Sequence, residues 1–497
     1  MITGPEERDT PGSGAGPSSD SGGETQLAPD SAGRDPYRVR AKALLKIPAL
    51  WAIPVIVGSV LMVLVTVVYI GSVVNPVGHL RGLPVSIVND DAGATIGPRR
   101  VDFGAQLQSG LTGSRAVSTL LSLTSERLQA AKGRMNHNGA YATVVIPPDF
   151  TASLISLTGL RLPAGTSAGK PTVQLLTNQR AGTVGVELAS GVLEPAIAVA
   201  SHRIGHQLLA ATRPPPAGSA TAVVLADSIT FTSVDYRPLP SHSALGLSAF
   251  YVALLTLIFG FLTATIINVT VDAATGYATS EIGPKWRQLA PLPINRWQTL
   301  LTKWAMALPI TGLLAGLMLI VAIGLLGMDA PNAGYLWLFT WLCAASVAVG
   351  TLVLFAILGT QGQLLALLLF VYLGLASAGG TVPVQALPGP LKLVSQIEPL
   401  RQNLSGTRSI LYFNSAGNAG LTRGIITATA GLIFWLALGA TVVRWYDREG
   451  LQRLSPDLID YVQRSITAYR AQAQPQPQTV DRGTRARGVN RTRGESN

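Results

Sequence analysis

His202 and His206, four residues apart, are the first residues in this chain whose spacing could do chemistry. On a helix they share one face, and such a pair can hold zinc. The zinc-protease pattern needs Glu directly after the first histidine, whereas this run reads His202-Arg203-Ile204-Gly205-His206. The general base is missing and no third ligand is evident, so the pair reads as structural or solvated. Ala164–Pro171 (AGTSAGKP) has the outline of a phosphate loop. However, Ala164 stands where the first glycine belongs, and Pro171 replaces the hydroxyl residue that would hold magnesium. Asp90, Asp91, Asp102, Glu126 and Asp149 are scattered among turns and helix starts; Asp149, between Pro148 and a helical run, reads as an N-cap. One cysteine, Cys343, leaves no disulfide framework and no cysteine-built metal site. These residues form no catalytic constellation, and the chain reads as a non-enzyme with no cofactor, metal site or ATPase of its own.

One cluster reads as a contact surface. Ser280–Gln288 (SEIGPKWRQ) gathers Glu281, Lys285, Trp286 and Arg287. Trp and Arg are favoured interface anchors, because they bring large contact area and several donors. The other reading has Lys285 and Arg287 enforcing membrane topology while Trp286 sits among headgroups.

The elements that position these residues follow from composition. Of 497 residues, 48% are hydrophobic and only 13% charged, about half the charge of a soluble chain. Six charge-free apolar segments, 49–74, 244–268, 304–326, 335–358, 364–382 and 424–443, each approach or exceed the roughly 20 residues that cross a bilayer. With the N-terminus inside, Lys and Arg near the span ends divide twelve to six in favour of the cytoplasmic side. Asp272, the nearest carboxylate, lies just past the second span and reads as a solvated interfacial residue. Spans without an ionisable group disfavour a proton-driven antiporter. Gly312 and Gly316 form a Gly-x-x-x-Gly pair that permits close helix contact, and Pro309 can kink the same helix.

The domain reading is as follows. Residues 1–48 are a cytoplasmic disordered tail, 49–74 an anchor helix, 75–243 an extracytoplasmic domain, 244–443 a five-helix membrane block, and 444–497 a basic, largely disordered cytoplasmic tail. The fold class is an α-helical polytopic membrane protein, six transmembrane helices in a 1+5 arrangement, with an α/β domain inserted after the first helix. In the outer segment strands are predicted at Leu83–Asn89, Tyr141–Ile146, Thr172–Thr177 and Phe231–Tyr236. Helices are predicted at 114–134, 149–158 and 182–211, the last kinked or divided by Pro195, with a loop at 213–220. Residues 383–423 read as an outer loop punctuated by Pro383, Pro388, Pro390 and Pro399. The arginines of the C-terminal tail lack interleaved aromatics, so anionic lipid suits them better than nucleic acid.

Four stretches carry a family resemblance: Leu83–Ala94 (LPVSIVNDDAGA), Tyr141–Leu154 (YATVVIPPDFTASL), Ser243–Phe261 and Gly379–Pro399. Together the chain resembles the YhgE/Pip (phage infection protein) group within the type 2 ABC exporter permeases. It is most similar to the membrane proteins that share an uncharacterised domain with the yeast nitrosoguanidine-resistance protein. The likeness covers about 40–450, and the outer segment is more compact than in the larger phage-infection-type members. The resemblance implies a multi-pass plasma-membrane permease that exports an amphiphilic or toxic compound or a cell-envelope component. It further implies a separate ATPase subunit and a homodimer, the six-helix half being that family's unit. The alternative is a non-transporting membrane scaffold whose outer domain binds envelope or secretion-machinery partners.

Overall fold

The computed structural model describes residues 48–96, 99–158, 169–211 and 227–451, together with 453, 457, 460–461, 463–465 and 467–468. Residues 1–47 of the expected N-terminal tail, the C-terminal tail beyond 468, the loop at 213–220 and most of 164–171 lie outside the described residues. Helix α1 (Pro48–Val73) is apolar throughout. It begins in one compact unit, Met1–Met62, and ends in the other, Val63–Asn497; all that follows concerns the second unit.

Residues 83–237 build a mixed five-stranded sheet in the order β4-β1-β5-β6-β7. Its strands are β1 (Leu83–Asn89), β4 (Leu121–Ser125), β5 (Ala142–Ile146), β6 (Thr172–Asn178) and β7 (Thr230–Arg237), and a separate small hairpin pairs β2 (Ala94–Ile96) with β3 (Arg99–Val101). Strand β1 runs parallel to β4 and β5, β5 is antiparallel to β6, and β6 is parallel to β7. All four predicted strands are present. The predicted helix at 114–134 is instead three elements: α3 (Arg115–Leu120), strand β4, and α4 (Leu128–Asn136), while α2 (Phe103–Gly113) precedes them. Leu121-Ser-Leu-Thr-Ser alternates and pairs in register with Leu83–Ile87, so a strand partner overrides helical propensity there.

After α5 (Phe150–Ser156), helix α6 (Thr183–Ala211) is one helix through Pro195, so of the two expected effects, a kink or a division, the division does not occur. Ala189, Leu193, Ile197, Ile204 and Leu208 form one buried stripe on the core that also holds Val85, Ile87 and Val144. Val382 and Ala386, from beyond the fourth apolar helix, complete that core.

Six described helices are long and apolar enough to cross a membrane, the architecture of a polytopic membrane protein. Five match predicted spans: α1, α7 (Ser248–Ala274), α8 (Arg296–Leu319, with a π turn to Leu325), α9 (Ala333–Leu358) and α12 (Leu421–Arg448). The sixth by length is α6, whose apolar stripe covers the sheet. The predicted span at 364–382 is a shorter helix, α10 (Gln361–Ser377), interrupted by a π turn at Leu367–Tyr372 and followed by Gly379 at φ 69°.

The predicted outer loop 383–423 contains a largely buried helix, α11 (Pro399–Tyr412). Glu398 caps it by accepting from Leu400 N and Arg401 N, both at 2.9 Å, with Pro399 at the first helical position. Helix α9 is central and packs against α7, α8, α11 and α12. At Gly260 a Cβ would lie 2.8 Å from the Ala344 carbonyl, so α7 and α9 approach backbone to backbone. The Gly312/Gly316 pair serves differently: it seats the stacked indoles of Trp337 and Trp341, which donate to the carbonyls of Gly312 (2.9 Å) and Leu308 (2.8 Å).

Candidate functional site

The four residues singled out as a contact surface lie on a hairpin, β8 (Ser280–Ile282) and β9 (Lys285–Arg287), turned through Gly283 at φ 57°. Glu281 stands opposite Trp286, while Arg287 stands opposite Ser280 and Lys285 opposite Ile282. Residues facing each other across an antiparallel pair share a face. Glu281 and Trp286 therefore form one side, and the two cations lie on the other. All four are exposed, Trp286 to 63%. His202 and His206 also lie on an exposed face, and the described residues hold no group of three metal-ligating side chains.

Of the N-terminal-half carboxylates, Asp91 does what Asp149 was expected to do. Its Oδ1 accepts from Thr151 N at 3.0 Å, at the start of α5, and its Oδ2 accepts from Gly104 N at 3.0 Å, at the start of α2, and from the Thr151 hydroxyl. Asp149 occupies the N-cap position but makes no capping bond. One carboxylate thus fixes the origins of two helices against the end of β1.

A concave apolar site lies inside the helical block. A cavity of about 310 Å³ opens between α10 and α12, with α7 and α9 behind it and the start of α11 at one end. Its walls are Leu257, Val347, Leu369, Phe370, Leu373, Phe434 and Trp435, with Cys343, Ser346, Gln402, Asn403 and Thr427 as smaller or polar members. Cys343, Ser346 and Val347 sit near the middle of α9, so the cavity reaches well along a span-length helix. The π turn in α10 carries Leu369 and Phe370, and such wide turns are frequent at functional sites. Phe370 meets Trp435 edge to face at 5.8 Å. Gly350 leaves room for that pair, since a Cβ there would lie 2.8 Å from both rings.

Glu398 lines this cavity and is 3% exposed. Burial pushes its carboxyl up to about 7, against the lowering effect of the two N–H bonds and of the Arg401 charge. Gly374 makes room for it: a Cβ there would fall 2.8 Å from Oε1. Asn403 Nδ2 crosses to the Ala253 carbonyl at 3.1 Å and ties α11 to α7. Sequence reading missed Glu398 because it placed 383–423 in an outer loop. The legible signal was Glu-Pro, an N-cap and first helical residue, ahead of Leu400, Leu404 and Leu411 at helical spacing.

A second cavity, about 530 Å³ and polar, lies at the other end of the block. Here Asp272 is 6% exposed, which corrects its reading as solvated: α7 continues past the predicted span and carries it into a buried ion cluster. Lys303 Nζ reaches Asp272 Oδ1 at 2.8 Å and Asn268 Oδ1 at 2.6 Å. Arg453 grips both carboxylate oxygens, at 2.7 and 2.8 Å, and lies over the Tyr277 ring. Nearby, Asp447 accepts from Arg296 N at 3.2 Å and Trp297 N at 3.0 Å, a carboxylate at the positive end of α8. Asp447, Leu451 and Arg453, in a tail expected to be largely disordered, therefore reach back onto α7 and α8. Sequence separation hid this cluster.

Span-length apolar helices around an apolar cavity define a multi-pass membrane protein with room for a small ligand. The chain belongs to the family described as protein of unknown function (DUF3533), whose profile matches residues 54–435. No curated protein and no solved structure matches it.

Proposed function

We propose that this chain is a permease-like plasma-membrane protein that exports an amphiphilic or toxic compound or a cell-envelope component, with energy from a separate ATPase subunit. The reading places both termini in the cytoplasm and takes 75–243 as an extracytoplasmic α/β domain, with α10 completing the membrane block as a short, bent span. It adopts the kinship to the YhgE/Pip-like type 2 ABC permeases and their homodimeric assembly. The observation that supports it is the 310 Å³ cavity, apolar-walled with a few convergent polar groups, the usual character of a small-molecule site. The exposed Glu281/Trp286 side of the hairpin is the surface offered to the ATPase.

The test has two arms. Cells expressing the protein should retain less of a fluorescent amphiphile than control cells, and Ala428→Phe, which fills the cavity from α12, should restore retention. Equal retention in all three across cationic, neutral and anionic dyes would remove the export reading and leave the scaffold. For topology, single cysteines at Ser167 and Ser455 in a Cys343→Ser background are probed with a membrane-impermeant thiol reagent. Ser167 should label in intact cells and Ser455 should not; the reverse pattern would overturn the orientation.

A further inference from the structure

We propose that the cavity between α10 and α12 binds lipophilic monocations, with the Glu398 carboxylate as their counter-charge. The assignment names a ligand class for the exporter reading and rests on it.

The charge arrangement carries the argument. Glu398 is buried, yet among the described residues it has no ion-pair partner. The charge of Arg401 reaches Glu398, but its guanidinium, like that of Arg423, is bonded to other groups. Arg401, on α11, donates from Nη1 to Ser395 O at 3.0 Å and Ser395 Oγ at 2.8 Å. Arg423, at the start of α12, donates to Gln396 O and Oε1, both at 3.1 Å. The lining residues of α7, α9 and α10 add no charge, and Cys343 on α9 is the one other titratable lining group. A buried carboxylate without a partner is costly. A proton on the carboxylate relieves that cost, and a cation of suitable shape would relieve it in the proton's place. Proton and ligand therefore compete for a single group.

The walls select the kind of cation. Phe370, Phe434 and Trp435 present aromatic surface, whose faces attract a diffuse positive charge. The remaining walls are mostly apolar, with Ser346, Gln402, Asn403 and Thr427 as the few polar members, so a compact ammonium or metal ion would recover only part of its lost hydration. A charge spread over an apolar body loses little. An anion would meet the carboxylate and is disfavoured. The rim is apolar as well: Ile397 is 82% and Phe434 56% exposed, which lets a ligand dissolved in the bilayer enter from the side between α10 and α12. The two N–H bonds to Glu398 hold its carboxylate in place before a ligand arrives.

The test uses the full-length protein in nanodiscs of neutral lipid, with quenching of tryptophan fluorescence as readout and empty nanodiscs as the blank. The probes are tetraphenylphosphonium, tetraphenylborate and the neutral triphenylphosphine oxide. Tetraphenylphosphonium should bind at pH 8 and weaken by about tenfold or more at pH 5.5, as the carboxylate takes its proton. Binding of the neutral oxide should not change with pH. Glu398→Gln should lose about tenfold or more in phosphonium affinity together with the pH dependence, and keep the oxide. Should that variant fail to fold, the pH dependence of the unmodified protein alone decides. Equal, pH-independent binding of phosphonium and oxide, or a preference for borate, would overturn the cation assignment and leave the export reading standing. No binding of any probe would remove both.

Discussion

Replacing Asp272 by Ala should destabilise the helical block by about 3–5 kcal/mol, the range for removing one partner of a buried ion pair. Asp272 and Lys303 are each 6% exposed, and the carboxylate accepts three charge-assisted bonds at 2.7–2.8 Å. Among the described residues, its loss leaves the Lys303 ammonium with Asn268 alone and takes from Arg453 its bidentate partner. Arg453→Ala should cost less, about 1–2 kcal/mol, because its side chain is 28% exposed and the Asp272–Lys303 pair survives. Cys343 supplies the assay. It is the sole cysteine and is 6% exposed, so a fluorogenic thiol reagent reports its uncovering during a thermal ramp. For a cooperative unit of roughly this size, 3–5 kcal/mol lowers the midpoint by on the order of 10 °C. A triple variant, Asp272→Leu, Lys303→Met and Arg453→Met, should recover most of the loss, since apolar replacement of a whole buried network is often neutral. An Asp272→Ala midpoint within a degree of the parent would mean that water reaches these charges, and the buried-cluster reasoning would be refuted.

Glu398 gives the protein a pH dependence of the opposite sense to most carboxylates. Its folded pKa is raised to about 7, so the folded state holds the proton that the unfolded state releases. Its contribution is most favourable below about 4.5 and declines by roughly 3 kcal/mol as pH rises to about 7. Midpoints from the same thiol assay, run in acid-tolerant buffers with a dye blank, should fall over that window. Glu398→Gln should flatten the curve, and an unchanged slope would place the titration elsewhere. Asp91→Ala should cost about 2–3 kcal/mol, because it strips acceptors from the first turns of both α2 and α5. A loss under about 0.5 kcal/mol would mean that water or Asn89 takes over the caps. Glu281→Ala with Trp286→Ala should leave membrane expression normal while reducing pull-down of an ATPase partner; undiminished pull-down would remove that face as the contact.

The sheet was legible where short apolar runs end in turn signals: Leu83–Asn89 before Asp90-Asp91-Ala92-Gly93, and Ala142–Ile146 before Pro147-Pro148. Strand β4 was not, because five residues between two helical stretches carry too little pattern to overrule their neighbours. Span-length helices were legible from hydropathy alone, but hydropathy does not distinguish lipid from a sheet as the cover. Thus α6 matches a span in length and apolarity while packing on β-strands. The two sites fared worst, for one reason. Glu398 lies in a segment too polar and too rich in proline to read as buried. Asp272 lies 31 residues from Lys303 and 181 from Arg453, and burial created by distant partners leaves no local trace.

The hook formed by Asp447 and Arg453 also sets an order of assembly. Asp447 lies in the last turn of α12 and Arg453 five residues past its end, so both leave the ribosome after the other long helices have been made. Until then α8 begins with its Arg296 and Trp297 N–H groups uncapped by Asp447, and Asp272 has only Lys303. A nascent chain therefore holds its long helices while this end of the helical block is still open, and Arg453 closes it. A protein cut short just after α12 would keep the Asp447 cap on α8 but lose Arg453, leaving Asp272 without its bidentate contact.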